Sequence, residues 1–165
     1  MRSLRRALSL IASWVVLSVG ATQVHASYTA SVDHYESALL HFQAREYDES
    51  IQALRILLRE ERNNLPALVL LGRVYLRQGA GAAAEEALRR ARSAGADQSL
   101  IAVPLGKAYL AQGKYELLFG DEFSRGSSDN SSTEILDLQG QAYLELGTLE
   151  RARSTFDRLR DIDNL

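Results

Sequence analysis

A nine-residue segment occurs three times in this chain, with the same interval between each copy and the next. The copies are LGRVYLRQG (71–79), LGKAYLAQG (105–113) and QGQAYLELG (139–147). Each copy has the apolar spacing of a helix and ends in a glycine, which can adopt the left-handed backbone that terminates a helix. A strict period of this length is typical of repeat proteins, in which each unit buries its apolar face only against its neighbours. We therefore expect a stack of similar helical units.

Windows with the length of this interval, starting at residues 31, 65, 99 and 133, bring equivalent residues into register. Position 8 is small in every window: Ala38, Gly72, Gly106 and Gly140. Position 11 is an aromatic ring: His41, Tyr75, Tyr109 and Tyr143. Position 15 is glycine outside the first window: Arg45, Gly79, Gly113 and Gly147. Position 20 is small outside the third: Ser50, Ala84, Leu118 and Ala152. Small residues at positions 8 and 20 predict a close helix crossing, where overpacking would cost about 1–3 kcal/mol.

The periodicity predicts helices joined by short turns. The expected ranges are 31–44, 47–62, 65–78, 81–93, 99–112, a short helix at 115–119, then 133–146 and 149–162. The Ser-rich segment SRGSSDNSST (124–133) predicts a loop that shortens the third unit. His41 stands where the later windows have tyrosine, and we interpret it as a packed core histidine.

This combination of small, aromatic and glycine positions resembles the tetratricopeptide repeat, over residues 31–163. The resemblance implies an all-α, right-handed superhelical solenoid of about four helix-turn-helix repeats, near 31–64, 65–98, 99–132 and 133–163. More narrowly, residues 75–118 resemble the second and third repeats of PrsT-type tetratricopeptide proteins, and residues 35–64 resemble the start of such proteins. Those proteins accompany PEP-CTERM/exosortase sorting systems and exopolysaccharide gene clusters in Gram-negative bacteria. They are longer than this chain, and many are lipoproteins.

The N-terminal segment, 1–26, has the layout of a secretory signal peptide. Three arginines precede an apolar stretch from Ala7 to Val19, and Val24-His25-Ala26 offers a cleavage site before Ser27. The apolar stretch is shorter than the roughly 20 residues that a spanning helix needs. We therefore predict a periplasmic protein, in contact with the membrane only if this segment stays uncleaved. The chain has no cysteine, so it has no thiol for a lipid anchor.

The residues indicate no enzyme. Neither HExxH nor GxGxxG, GxxxxGK or GxSxG occurs, and His34 and His41 are two helical turns apart rather than at the spacing of a metal pair. The expected catalytic, cofactor and metal residues are accordingly none. A net charge of −2 gives no basic surface for nucleic acid, and the RRAR cluster (89–92) is balanced by Glu85 and Glu86 one turn earlier. We interpret these two glutamates and the arginines that follow them as a solvated helix surface. The remaining class of function is binding to a protein or peptide.

In the architecture that the resemblance implies, the first helix of each repeat lines a concave surface. The predicted groove residues are Tyr35, Phe42, Val69, Arg73, Leu76, Arg77, Val103, Lys107, Leu110 and Gln141. Apolar residues with basic points would suit an extended or helical peptide that carries apolar anchors and an acidic group. The expected function is a protein-interaction scaffold of the cell envelope. Two alternatives stay open: a truncated, non-functional remnant of a longer scaffold, and an assembly factor anchored by its signal segment.

Overall fold

A computed structural model describes residues 32–124 and 129–163, so the predicted signal peptide (1–26) lies outside the described residues. The described chain is helical and contains no strand. Its α-helices are α1 (32–43), α2 (Tyr47–Glu60), α3 (Leu65–Arg77), α4 (Gly81–Ser93), α5 (Gln98–Ala111), α6 (Asp121–Ser124), α7 (Asp129–Glu145) and α8 (Leu149–Asp163). A 3₁₀ helix, Tyr115–Phe119, lies between α5 and α6. These elements form antiparallel pairs that stack in chain order, which confirms the predicted all-α solenoid.

The first helix of every pair ends in the same way. The residue at position 15 has a positive φ, near 70° for Gly79, Gly113 and Gly147. One residue later, the backbone N–H donates to the carbonyl of position 11, as from Ala80 to Tyr75 at 2.9 Å. This is the Schellman arrangement, in which a left-handed residue closes the helix and satisfies its last carbonyls. The periodic recurrence of glycine follows from this turn.

The small residues at position 8 lie at close helix crossings, as predicted, but their neighbour differs from the expected one. A Cβ added to Gly72 would lie 2.6 Å from Leu88 Cγ, and one added to Gly140 would lie 2.5 Å from Phe156 Cε1. Leu88 and Phe156 both occupy position 24. The side chain at position 24 therefore covers the glycine at position 8. In the first pair, the partner predicted from sequence, position 20, also makes a contact: Ser50 Oγ donates a hydrogen bond to the Ala38 carbonyl at 2.8 Å.

The third repeat departs from this pattern, because its second helix is replaced by the 3₁₀ helix and α6. Leu118 and Phe123 are buried there, and both approach Gly106, where an added Cβ would lie 3.1 Å from Leu118 Cδ2. The Phe123 ring also meets Tyr109 edge-on, with ring centroids 6.0 Å apart. Two short elements thus fill the volume that one regular helix fills in the other repeats.

Two sequence-based expectations are wrong. The loop predicted at 124–133 is too long, because α7 begins at Asp129. Serine, asparagine and aspartate are as common at the first turn of a helix as in loops, so composition could not place this boundary. His41 is not a core residue: its side chain is 36% exposed and its Nδ1 lies 2.7 Å from Glu46 Oε2. In later repeats the preceding repeat covers position 11, as Phe119 stacks on Tyr143, and no described residue does so for His41.

Candidate partner-binding groove

The first helices of the repeats enclose a groove with a volume of about 640 Å³. It extends from Phe42 on α1, across α3 and α5, to Glu134 on α7. The predicted site residues that line it are Phe42, Val69, Arg73, Leu76, Arg77, Val103 and Lys107. Leu100, on the same helix as Val103, also lines the groove and is 60% exposed. The geometry therefore brings most of the predicted residues to one open surface.

The remaining predicted residues lie elsewhere. Leu110 and Gln141 line a shallower depression between α5 and α7, which shares Lys107, Ala111 and Glu134 with the groove. Tyr35 lines neither space, and instead packs partly buried against the core. Position 5 of the first repeat thus contributes to packing rather than to the groove surface.

Cationic and aromatic groups stand at one end of the groove. The Arg73 guanidinium carbon lies 5.8 Å from the centroid of the Phe42 ring, within the range of a cation–π contact. Within residues 32–124 and 129–163, neither Arg73 nor Arg77 has a carboxylate ion-pair partner, and both are exposed. This end can therefore attract an acidic group of a ligand.

The opposite end of the groove carries an ion pair, and a second carboxylate, Asp137, lies beside it in the depression between α5 and α7. Lys107 Nζ lies 2.9 Å from Glu134 Oε2, so the third predicted cation is already neutralised across the junction between α5 and α7. Beyond it, Gln141 Nε2 donates to Asp137 Oδ2 at 2.8 Å. The apolar middle, from Leu76 to Val103, separates the two ends. A bound chain would meet positive charge at α3 and negative charge at α7.

Sequence reasoning missed a buried carboxylate, paired with a lysine, at the junction of the second and third repeats. Glu85 was interpreted as a solvated surface residue, but its side chain is only 10% exposed. Its Oε2 accepts hydrogen bonds from Lys114 Nζ at 2.6 Å and from Gln112 Nε2 at 2.9 Å. Burial alone would raise the pKa of Glu85, but these two hydrogen bonds and the charges of Lys114 and Arg89 together lower it below its ordinary value. The register of the repeats could have indicated this contact, because Glu85 is at position 21 of the second window and Lys114 is at position 16 of the third.

Residues 32–124 and 129–163 contain no group of three or more histidine, aspartate or glutamate side chains placed to hold a metal ion. Over the same residues, no helix has both the length and the apolar character needed to cross a membrane.

Comparison with protein-family models agrees with this architecture. Residues 35–99 match the family model of the tetratricopeptide repeat. This match covers the first two helix pairs, and the helices that follow continue the same stack. A solved structure of a mutant of MamA superposes with a TM-score of 0.46 at 17% identity, over 80% of this chain and 96% of that one. No curated protein sequence matches the chain. The narrower resemblance to PrsT-type tetratricopeptide proteins stays a prediction.

Proposed function

We propose that this chain is a protein-interaction scaffold of the bacterial cell envelope, whose groove on α1, α3, α5 and α7 binds a segment of a partner protein. The observation that carries this proposal is the groove itself. Apolar side chains from three successive first helices, among them Leu76 and Val103, face one open space beside Arg73 and Arg77. Tetratricopeptide repeats commonly serve protein association, and surfaces of this kind accept extended or helical peptides.

The charge distribution indicates which segment would fit. Arg73 and Arg77 favour an acidic group over α3, while the Lys107–Glu134 pair offers no net charge over α5 and α7. The favoured ligand is therefore a peptide with an acidic residue at one end and apolar residues along its length. A uniformly acidic peptide would be repelled by Asp137, which lies beside this neutral pair.

The setting of this scaffold is proposed from the sequence. Residues 1–26 have the layout of an export signal, which supports a periplasmic location. The resemblance of residues 75–118 to PrsT-type proteins supports a role in PEP-CTERM/exosortase sorting or in exopolysaccharide biosynthesis and export. In that setting the partner is another envelope protein, and the chain itself carries out no chemistry.

Crosslinking in the native cell, followed by mass spectrometry of the captured proteins, tests this function. The informative variant is Arg73→Glu with Arg77→Glu, which reverses the charge of the exposed basic end. Lys107 is left unchanged, because a glutamate there would face Glu134 and disturb the junction between repeats. The matched control is Arg59→Glu with Arg158→Glu, an equal change in charge on α2 and α8, outside the groove.

We expect the wild-type chain and the control to capture the same envelope protein, and the groove variant to lose at least about nine-tenths of that capture. Equal capture by all three chains would show that the captured protein does not bind at the basic end of the groove. Capture of no partner by a stably folded wild-type chain would favour the alternative of a non-functional remnant.

A further inference from the structure

Each end of the described solenoid exposes a leucine at a position that is covered between repeats elsewhere. Position 10, on the first helix, is fully buried in the later repeats at Val74, Ala108 and Ala142. In the first repeat this position is Leu40, which is 65% exposed. Leu149, at position 17 of the last repeat, is also 65% exposed.

The internal junctions show what these two positions contact. Between the second and third repeats, a Cβ added to Gly81 at position 17 would lie 3.2 Å from the Ala108 carbonyl oxygen and 3.2 Å from Ala111 Cβ. The nearest atom would be Gln112 Cγ, at 3.1 Å. Position 17 of one repeat therefore packs against the backbone at position 10 and the side chains at positions 13 and 14 of the next. At the other two junctions position 17 is Tyr47 or Tyr115, partly buried against the core, so a large apolar side chain fits there.

The two ends carry complementary charges at positions that form an ion pair inside the chain. At the junction of the second and third repeats, Glu85 at position 21 binds Lys114 at position 16 of the next repeat. The equivalent residues at the ends are Arg153, at position 21 of the last repeat, and Glu46, at position 16 of the first. Both are exposed. Arg153 of one copy and Glu46 of the next would thus form an ion pair equivalent to Glu85–Lys114, with the positive and negative positions exchanged. Glu46 also makes a hydrogen bond to His41 within its own chain.

We propose that copies of this chain associate head to tail, each C-terminal end packing on the N-terminal end of a second copy. Leu149 and Arg153 of one copy would contact Leu40 and Glu46 of the next, in the register used between repeats within a chain. Such an interface is heterologous, so each added copy presents a new end and the assembly is open. The proposal is independent of the groove, which lies on a different face of the first helices and would be repeated along the assembly.

Sedimentation velocity of the full-length chain, purified after the processing that its own cell performs, tests this proposal. The wild-type chain is expected to grow beyond a dimer as its concentration rises. Leu40→Glu and Leu149→Glu should each be monomeric, because each lacks one of the two complementary ends. Both positions are exposed, so circular dichroism should show unchanged helix content. Association through residues 1–31 would be unaffected by either variant.

Mixing the two variants is the decisive arm. Each retains one intact end, so an equimolar mixture should form heterodimers and stop there. Arg153→Glu and Glu46→Arg should each weaken association by about fivefold, and the chain with both changes should recover it. A wild-type chain that stays monomeric, a wild-type dimer that grows no further, or a mixture that forms no heterodimer would overturn the proposal.

Discussion

At the scale of single residues, the helix-terminating turn shows how one backbone angle accounts for a sequence pattern. Three repeats place glycine at position 15, where φ is positive, and the first repeat places Arg45 there with φ of 64°. A residue with a Cβ costs roughly 1–2 kcal/mol in this conformation, because the Cβ approaches the carbonyl that follows. The first repeat therefore has the same helix-terminating turn as the other repeats, but with a higher conformational energy at position 15.

Arg45→Gly should stabilise the chain. The expected gain is about 1 kcal/mol, since relief of the Cβ contact exceeds the added freedom of the unfolded chain. Gly79→Ala should cost about as much, and an added Cβ there would have no neighbour within 4 Å, so the loss would be backbone strain alone. Urea unfolding monitored by circular dichroism measures both changes. Destabilisation by Arg45→Gly would contradict this account of the turn.

Glu85 makes the stability of the junction between the second and third repeats depend on pH. Its pKa is lowered in the folded chain, so on acidification the unfolded chain takes up the proton first. The stabilisation is complete above the ordinary pKa of glutamate and is lost as pH falls through the lowered folded value. Glu85→Gln should lower the free energy of unfolding by about 1–2 kcal/mol at pH 7, and this difference should shrink below about pH 4.

Unfolding in urea at pH 3, 5 and 7 compares the two chains. Glu86→Gln, an exposed neighbour on the same helix, is the matched control and should change stability by less than about 0.5 kcal/mol at each pH. If the difference in the free energy of unfolding between the wild-type and Glu85→Gln chains stays constant with pH, the charge of Glu85 does not stabilise the folded chain.

At the scale of helices, the crossing of α3 and α4 depends on the match between Gly72 and Leu88. Gly72→Ala should destabilise by about 1–3 kcal/mol, because Leu88 is fully buried and has little room to move. With Leu88→Ala in place, the same change should be neutral or favourable, since alanine has the better helix propensity by about 1 kcal/mol. A double-mutant cycle in urea measures this coupling, and an equal cost in both backgrounds would exclude it.

The helices could be predicted closely wherever the period of the repeat holds. The bounds of α2 to α5 and of α8 lie close to those expected, because glycine turns and apolar spacing mark both ends. The prediction failed where a feature depends on neighbours that are distant in sequence. The start of α7 carries no distinctive residue type, no described residue stacks on the His41 ring, and Glu85 is covered by Lys114 from the next repeat.

At the scale of the whole molecule, the position of the groove could be predicted because the first helices of a solenoid share one face. The pairing of its charges could not. Lys107 and Glu134 belong to different repeats, and only the stacking of α5 on α7 brings their side chains to 2.9 Å. The result is a groove in which Arg73 and Arg77 are the exposed basic points, while the third basic point predicted from sequence, Lys107, is neutralised by Glu134.

A partner protein is expected to occupy this groove in the cell. Replacing Leu100, which faces the groove, by a photo-crosslinking amino acid tests this occupancy in the living cell, with Gln52 on the exposed side of α2 as the control position. We expect one crosslinked partner from position 100 and none from position 52, with the adduct lost when Arg73→Glu and Arg77→Glu are added. Equal crosslinking from both positions, or an adduct that survives the charge reversal, would contradict it.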